Sequence, residues 1–269
     1  MPFLSALKNQ LNIFSSFIIF VMSMTKIFEN KEKILASFIE ICNANSLWYS
    51  LDNSSLLAAI NNLDYWYNTD HYEVFMTFSS YEKLKQLYPK KILDSTSHSN
   101  YYSLQNKFVE DISLIDTDSP FLNINIIIPT TVKKIHKFFN LKNKIKCFCL
   151  HYYSMDKTNV YALKQKIRLA KLIKPFIKNL NYKDFNEFLF DKNNEGFLVT
   201  NELMNKEALH KWLTNTNFER IKIKKNNLEI SVIAEYQNYL KNLFGSAWKQ
   251  ISDLSIPYYF IDAKNISKN

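Results

Sequence analysis

Asp70, His71 and Glu73, in the run NTDHYEVF, are the residues whose types and spacing could do metal-assisted chemistry on a phosphate. On a strand, residues two apart point the same way at about 7 Å. His71 and Glu73 would then share one face, with Asp70 on the other. Joined by a group from a neighbouring strand, such acids can hold one or two Mg²⁺ ions against a substrate diphosphate. The ions neutralise charge and align the attacking oxygen. The neighbouring-strand candidate is Asn125 in FLNINIIIP, an amide where the metal would prefer a carboxylate.

These residues need elements to position them. From Leu47 to Leu87 the chain reads as strand, tight turn, short helix, loop, strand edge and capped helix. Leu47–Leu51 is a short apolar strand, and Asp52-Asn53-Ser54 supplies turn and N-cap chemistry for a helix over Ser55–Ile60. Ser79-Ser80-Tyr81-Glu82 reads as a capping box for a helix over Tyr81–Tyr88, which Pro89 stops. Upstream, Ile34, Leu35, Phe38, Ile41 and Cys42 place a helical face over Lys31–Asn45. Downstream, strands are expected over Tyr101–Phe108 and Phe121–Pro129. Helices are expected over Val132–Asn140, Val160–Leu180, Asp184–Phe190 and Glu202–Leu213. Phe218–Ile223 and Leu228–Ile230 look extended, and Ile233–Phe244 reads as a helix closed by Gly245. The mixture is of α+β type.

Composition narrows the chemistry. The 269 residues contain two glycines, Gly196 and Gly245, where average usage gives roughly nineteen. No P-loop, dinucleotide fingerprint or nucleophile elbow can be written with them. No Ser-His-Asp or Cys-His arrangement stands out either. The net charge of +9 allows a polyanion or membrane-surface partner, but a lysine-biased solvated surface accounts for it better, without nucleic acid. Lys133, Lys134, His136 and Lys137 make one such face, or else face donor phosphates from a helix start. Three cysteines, Cys42, Cys147 and Cys149, are too few for a disulfide framework and point to a reducing, cytoplasmic interior. Cys147, Cys149 and His151 alternate and on a strand would share a face, yet a fourth metal ligand is missing.

Residues 1–30 form a separate apolar prelude. Leu11–Met24 is shorter than the roughly twenty residues a span requires. It reads as an added helix, as a peripheral membrane contact through residues 8–26, or as a stretch upstream of a start at Met22 or Met24 rather than Met1.

Three blocks in order resemble the LicD family of phosphocholine transferases. They are ILASFIEICNANSLWYSLDNSSLLAAINNLDYWYNTDHYEVFMTFSSYEKL, then INIIIP, then YLKNLFGSAW. The resemblance covers roughly Lys33–Pro89 and Phe218–Trp248 and is fainter between. It implies that residues 31–269 form a nucleotidyltransferase-type domain, a mixed sheet flanked by helices with added helices at the N-terminus and middle. The family's paired small residues become Asn53 and Ser54, followed by Ser55, and its Arg-His becomes Asn61 and Asn62. Its successive aspartates become Thr69, Asp70 and His71, its next becomes Glu73, and the strand aspartate falls at Asn125 or Ile126.

Carried across, the resemblance implies Asp70, Glu73 and His71 as catalytic residues. It puts Asn53, Ser54, Ser55, Asn61 and Tyr72 at the substrate and Asp70, Glu73 and Asn125 on Mg²⁺. The implied reaction moves a phosphocholine-type group from a CDP-activated donor to a cell-surface or secreted glycan. Tyr65, Trp66, Tyr67 and Tyr72 could cage its quaternary ammonium, or simply pack the core. Because most of the family's acids and glycines are replaced, a second reading stands beside it. In that reading the protein is a catalytically degenerate relative that binds a glycan or a protein.

Overall fold

The computed structural model describes residues 31–69, 71–98, 101–114, 119–154, 161–200, 210–214 and 217–254. The N-terminal stretch, Asp70 and most of the expected Glu202–Leu213 helix lie outside them. The fold is α+β around a mixed sheet, as the alternation of patterns implied.

The first helix, α1, covers residues 31–44 and turns Ile34, Leu35, Phe38, Ile39 and Cys42 into the core. Strand β1 (Tyr49–Leu51) leads through Asp52 into α2 (Asn53–Asn61) and the short α3 (Tyr65–Asn68). Strand β2 (Tyr72–Thr77) then runs antiparallel to β1, with Leu51 opposite Val74. Helix α4 (Phe78–Leu87) and strands β3 (Ile92–Leu93) and β4 (Asn106–Phe108) precede β5 (Leu122–Thr130), the centre of the sheet. The first half of β5 lies parallel to β2, Phe75 opposite Asn125, and antiparallel to β4. Its second half pairs with β6 (Gly196–Val199), which pairs with β7 (Trp212–Thr214). A strand with neighbours on both edges and covered faces must be apolar nearly throughout, and eight of the nine β5 residues are buried.

Helices α5 (Val132–Phe138), α6 (Leu141–Ser154), α7 (Tyr161–Ile173) and α8 (Tyr182–Leu189) follow β5. A hairpin of β8 (Arg220–Lys225) and β9 (Leu228–Ile233) leads to α9 (Tyr236–Phe244). The hairpin is fastened under β1: the Ile233 amide donates to Ser50 Oγ at 2.9 Å and the Ser231 amide to Tyr49 Oη at 3.2 Å.

Several local expectations change. Thr77, not Ser79, caps α4, because the chain passes straight from β2 into the helix and the Thr77 hydroxyl accepts from the Ser80 amide. Cys147, Cys149 and His151 lie on helix α6, not a strand. Buried Asn143, Cys147, Leu150 and His151 fall at helical spacing, and the Cys149 thiol donates to the Ala170 carbonyl of α7. The strand expected from Tyr101 begins at Asn106, and the long helix expected to Leu180 ends at Ile173 before Pro175. Ile233 belongs to β9, not to the final helix.

Leu213 was expected at a helix end and sits instead in β7. Gly196 explains the pairing: a Cβ there would stand 2.4 Å from Trp212 Cζ2 and 2.6 Å from the Leu213 carbonyl. Only a glycine admits β7 so closely. Gly245 closes α9 at φ 84°, a backbone region that favours glycine.

Candidate functional site: a buried carboxylate centre

The centre is built where β1 turns into α2. The Asp52 amide donates to the Glu73 carbonyl at 2.9 Å, adding one rung to the β1–β2 ladder. The chain then enters α2 through Asn53 at φ 46°, a left-handed conformation that asparagine tolerates better than most residues. Asp52 caps the helix, and its Oδ1 accepts the Asn53 amide at 2.6 Å.

Three long-range donors complete the carboxylate. Tyr239 Oη of α9 donates to Oδ1 at 2.5 Å, and Asn125 Nδ2 of β5 donates to Oδ2 at 2.5 Å. Lys211 Nζ, just before β7, donates to Oδ2 at 3.3 Å. The Asp52 side chain has no exposed surface and that of Lys211 is 6% exposed. Asn125 is itself oriented, because its Oδ1 accepts Gln105 Nε2 at 3.0 Å. The Gln105 amide also donates to the Ile124 carbonyl, which fixes its nitrogen towards β5 and leaves the Asn125 nitrogen for Asp52. Buried polar groups demand partners of this kind.

Glu73 borders the centre. It is half-buried on β2 and shares a face with Phe75 and, through the parallel register, with Asn123 and Asn125. Burial holds its carboxyl above the usual range. Lys211, His71 and an Asn53 hydrogen bond oppose that rise, while the Asp52 charge adds to it. Burial, followed by the Asp52 charge, pushes the Tyr239 hydroxyl well above its ordinary value, so it stays a donor.

The other expected site residues are dispersed. His71 precedes β2 and stacks on Phe121, ring centroids 5.0 Å apart. Ser55 Oγ accepts the Glu73 amide at 2.9 Å and so braces β2 from within α2. Ser54 is half-buried on the first turn of α2. Asn61 reaches away, donating to the carbonyls of Trp248 and Ile251 at 3.0 and 3.2 Å. Tyr72 points opposite to Glu73, into the core, where its hydroxyl donates to the Trp66 carbonyl. Asp70 lies outside the described residues.

The aromatic group near Tyr72 has cations of its own. Lys31 Nζ lies 5.1 Å from the Tyr72 ring and donates to the carbonyls of Trp66, Tyr67 and Thr69. Lys225 Nζ lies 5.8 Å from the Trp66 ring and 5.7 Å from that of Tyr67. Tyr65 and Trp66 are buried. Tyr65, Trp66 and Tyr72 therefore pack the core, while Tyr67 is exposed and its ring meets Lys225 of the chain.

Sequence reasoning named Glu73 and Asn125 as metal ligands, read Asp52 only as a cap, and did not name Lys211, Tyr239 or Gln105. A signal existed for Asp52: an aspartate at a strand-to-helix turn, two residues from the serines that follow it. None existed for Lys211, one of many lysines. Among the described residues no three His, Cys, Asp or Glu side chains are grouped to hold a metal. Compared with family models, with curated proteins and with solved structures, the chain matches none.

Proposed function

We propose that this chain has a nucleotidyltransferase-type fold related to the LicD transferases and that its acidic centre is neutralised from within. On this reading it acts by binding a glycan or a protein partner rather than by group transfer. Three observations support the kinship. Strand, turn, helix and strand follow one another from β1 to β2 as the resemblance requires. Asn53 adopts a left-handed backbone where the resemblance puts one of the paired small residues. Asn125 sits on the strand beside β2 and on the face of Glu73.

One observation carries the loss of transfer: the Asp52 carboxylate already accepts four donors, and one of them is the Lys211 ammonium. Mg²⁺ needs near-octahedral oxygen ligands. Asn125 presents a nitrogen to this centre, and a fixed ammonium stands 3.3 Å from the best carboxylate oxygen. Two cations would repel at that range. The donor set among the described residues therefore does not fit Mg²⁺.

Calorimetry tests the reading. With CDP-choline as the probe, no Mg²⁺-dependent heat and no release of CMP are expected. A transferase would show Mg²⁺-dependent binding that Glu73→Gln abolishes, and that result would overturn the proposal.

A further inference from the structure

We propose that helix α7 and the turn after it form a docking surface for an anionic lipid bilayer. The helix buries Ile167 and Ala170 against the fold. At about 100° per residue, Leu169 and Leu172 turn away from these two. They are 48% and 71% exposed, and Phe176, one turn on in the 3-10 segment Lys174–Phe176, is 88% exposed. Single exposed apolar residues are ordinary, but a stripe of large ones at i, i+3 and i+7 marks an interaction surface.

Charge selects the occupant. Between Tyr161 and Lys178 the chain has Lys164, Lys166, Arg168, Lys171, Lys174 and Lys178 and no acid. Six positive charges thus fall within 18 residues of a 269-residue chain whose net charge is +9. Lys164, Arg168 and Lys171 are exposed and face no carboxylate among the described residues. A basic face beside an apolar one suits a helix lying in the headgroup region, its leucines below and its cations at the phosphates. Nucleic acid would satisfy the cations but leave Leu172 and Phe176 wet. A helix of 13 residues is about 20 Å long, too short to cross a core of roughly 30 Å.

Co-sedimentation of the full chain with phosphatidylcholine vesicles, with and without phosphatidylserine, tests this surface. Binding is expected only with phosphatidylserine and should weaken as salt is raised. Each cation removed should weaken it about fivefold, so combined Lys164→Gln, Arg168→Gln and Lys171→Gln should cost roughly a hundredfold. The pair Leu172→Ser and Phe176→Ser should release the protein from vesicles, with an unchanged thermal melt because both side chains are exposed. Binding to neither vesicle, equal binding to both, or binding that survives these substitutions overturns the proposal.

Discussion

Two aspartates, Asp52 and Asp94, are buried with no exposed surface and satisfied by the same chemistry, yet they serve different purposes. Asp94 accepts Tyr81 Oη at 2.7 Å, Lys85 Nζ at 2.7 and 2.8 Å, and the Thr96 and Ser97 amides at 2.8 Å. All these partners lie within 13 residues of it. Asp52 takes a tyrosine, a lysine and an amide from 187, 159 and 73 residues away. The first is a local staple that closes a turn beneath α4. The second ties the β1–α2 turn to the centre of the sheet, to the approach to β7 and to α9. It also stands beside a second acid, Glu73, whose carboxyl the Asp52 charge helps to raise. A saturated carboxylate needs no catalytic explanation, as Asp94 shows. The long reach of Asp52's partners and the neighbouring Glu73, whose carboxyl is raised, set this centre apart from a local staple.

The largest expected effect separates the two lysines. Lys211→Met should cost about 3–5 kcal/mol in urea denaturation, because it strands a buried carboxylate. Lys85 is 21% exposed, and water can replace it, so Lys85→Met should cost about 1.5–3 kcal/mol. Equal losses would erase the distinction. Next, Tyr239→Phe removes a hydroxyl bonded to a charged group and should cost about 1.5–3 kcal/mol, read from the same denaturation curves. A neutral result would mean that Tyr239 does not support Asp52.

The smallest effect is in pH, and its sign differs between the two regions. Glu73 holds its proton above its ordinary value of 4.5 because it is buried beside Asp52. From that value upward the unfolded chain releases a proton that the native chain retains, so stability falls as pH rises through the raised native value. For Asp94, burial acts upward, but the Lys85 hydrogen bond and charge outweigh it, helped by Tyr81 and Thr96. Its native value lies below 3.8, so its contribution is lost as pH falls below that point. Glu73→Gln should therefore gain stability relative to the parent as pH rises above 4.5. Asp94→Asn should instead flatten the acid limb. Parallel pH slopes would show that Glu73 carries no such strain.

The sequence made the scaffold legible where the physics is local. FLNINIIIP announced β5 because a central strand is apolar on both faces, and Asp52-Asn53-Ser54 announced the start of α2. That Glu73 and Asn125 lie on neighbouring strands was legible for the same reason. Lys211 and Tyr239 were not, because nothing within a few residues of either marks a side chain whose partner is more than 150 residues distant. The strand β7 was hidden in a pattern that also suits a helix, and its cause lies in Gly196 on another strand. At Cys147–His151 alternation left strand and helix open, and packing against α7 goes with the helix.

On the proposed reading Lys211 Nζ, which stands 3.3 Å from Asp52 Oδ2, occupies the place of a divalent ion. Thermal melts of the full chain with increasing Mg²⁺, alongside those of a combined Asn125→Asp and Lys211→Met variant, test it directly. A bound ion at about 100 times its Kd would stabilise by about 2.7 kcal/mol. No Mg²⁺-dependent shift is expected in the parent, and a rise is expected in the variant, whose extra carboxylate and missing ammonium open the centre to a cation. A Mg²⁺-dependent rise in the parent itself would contradict it.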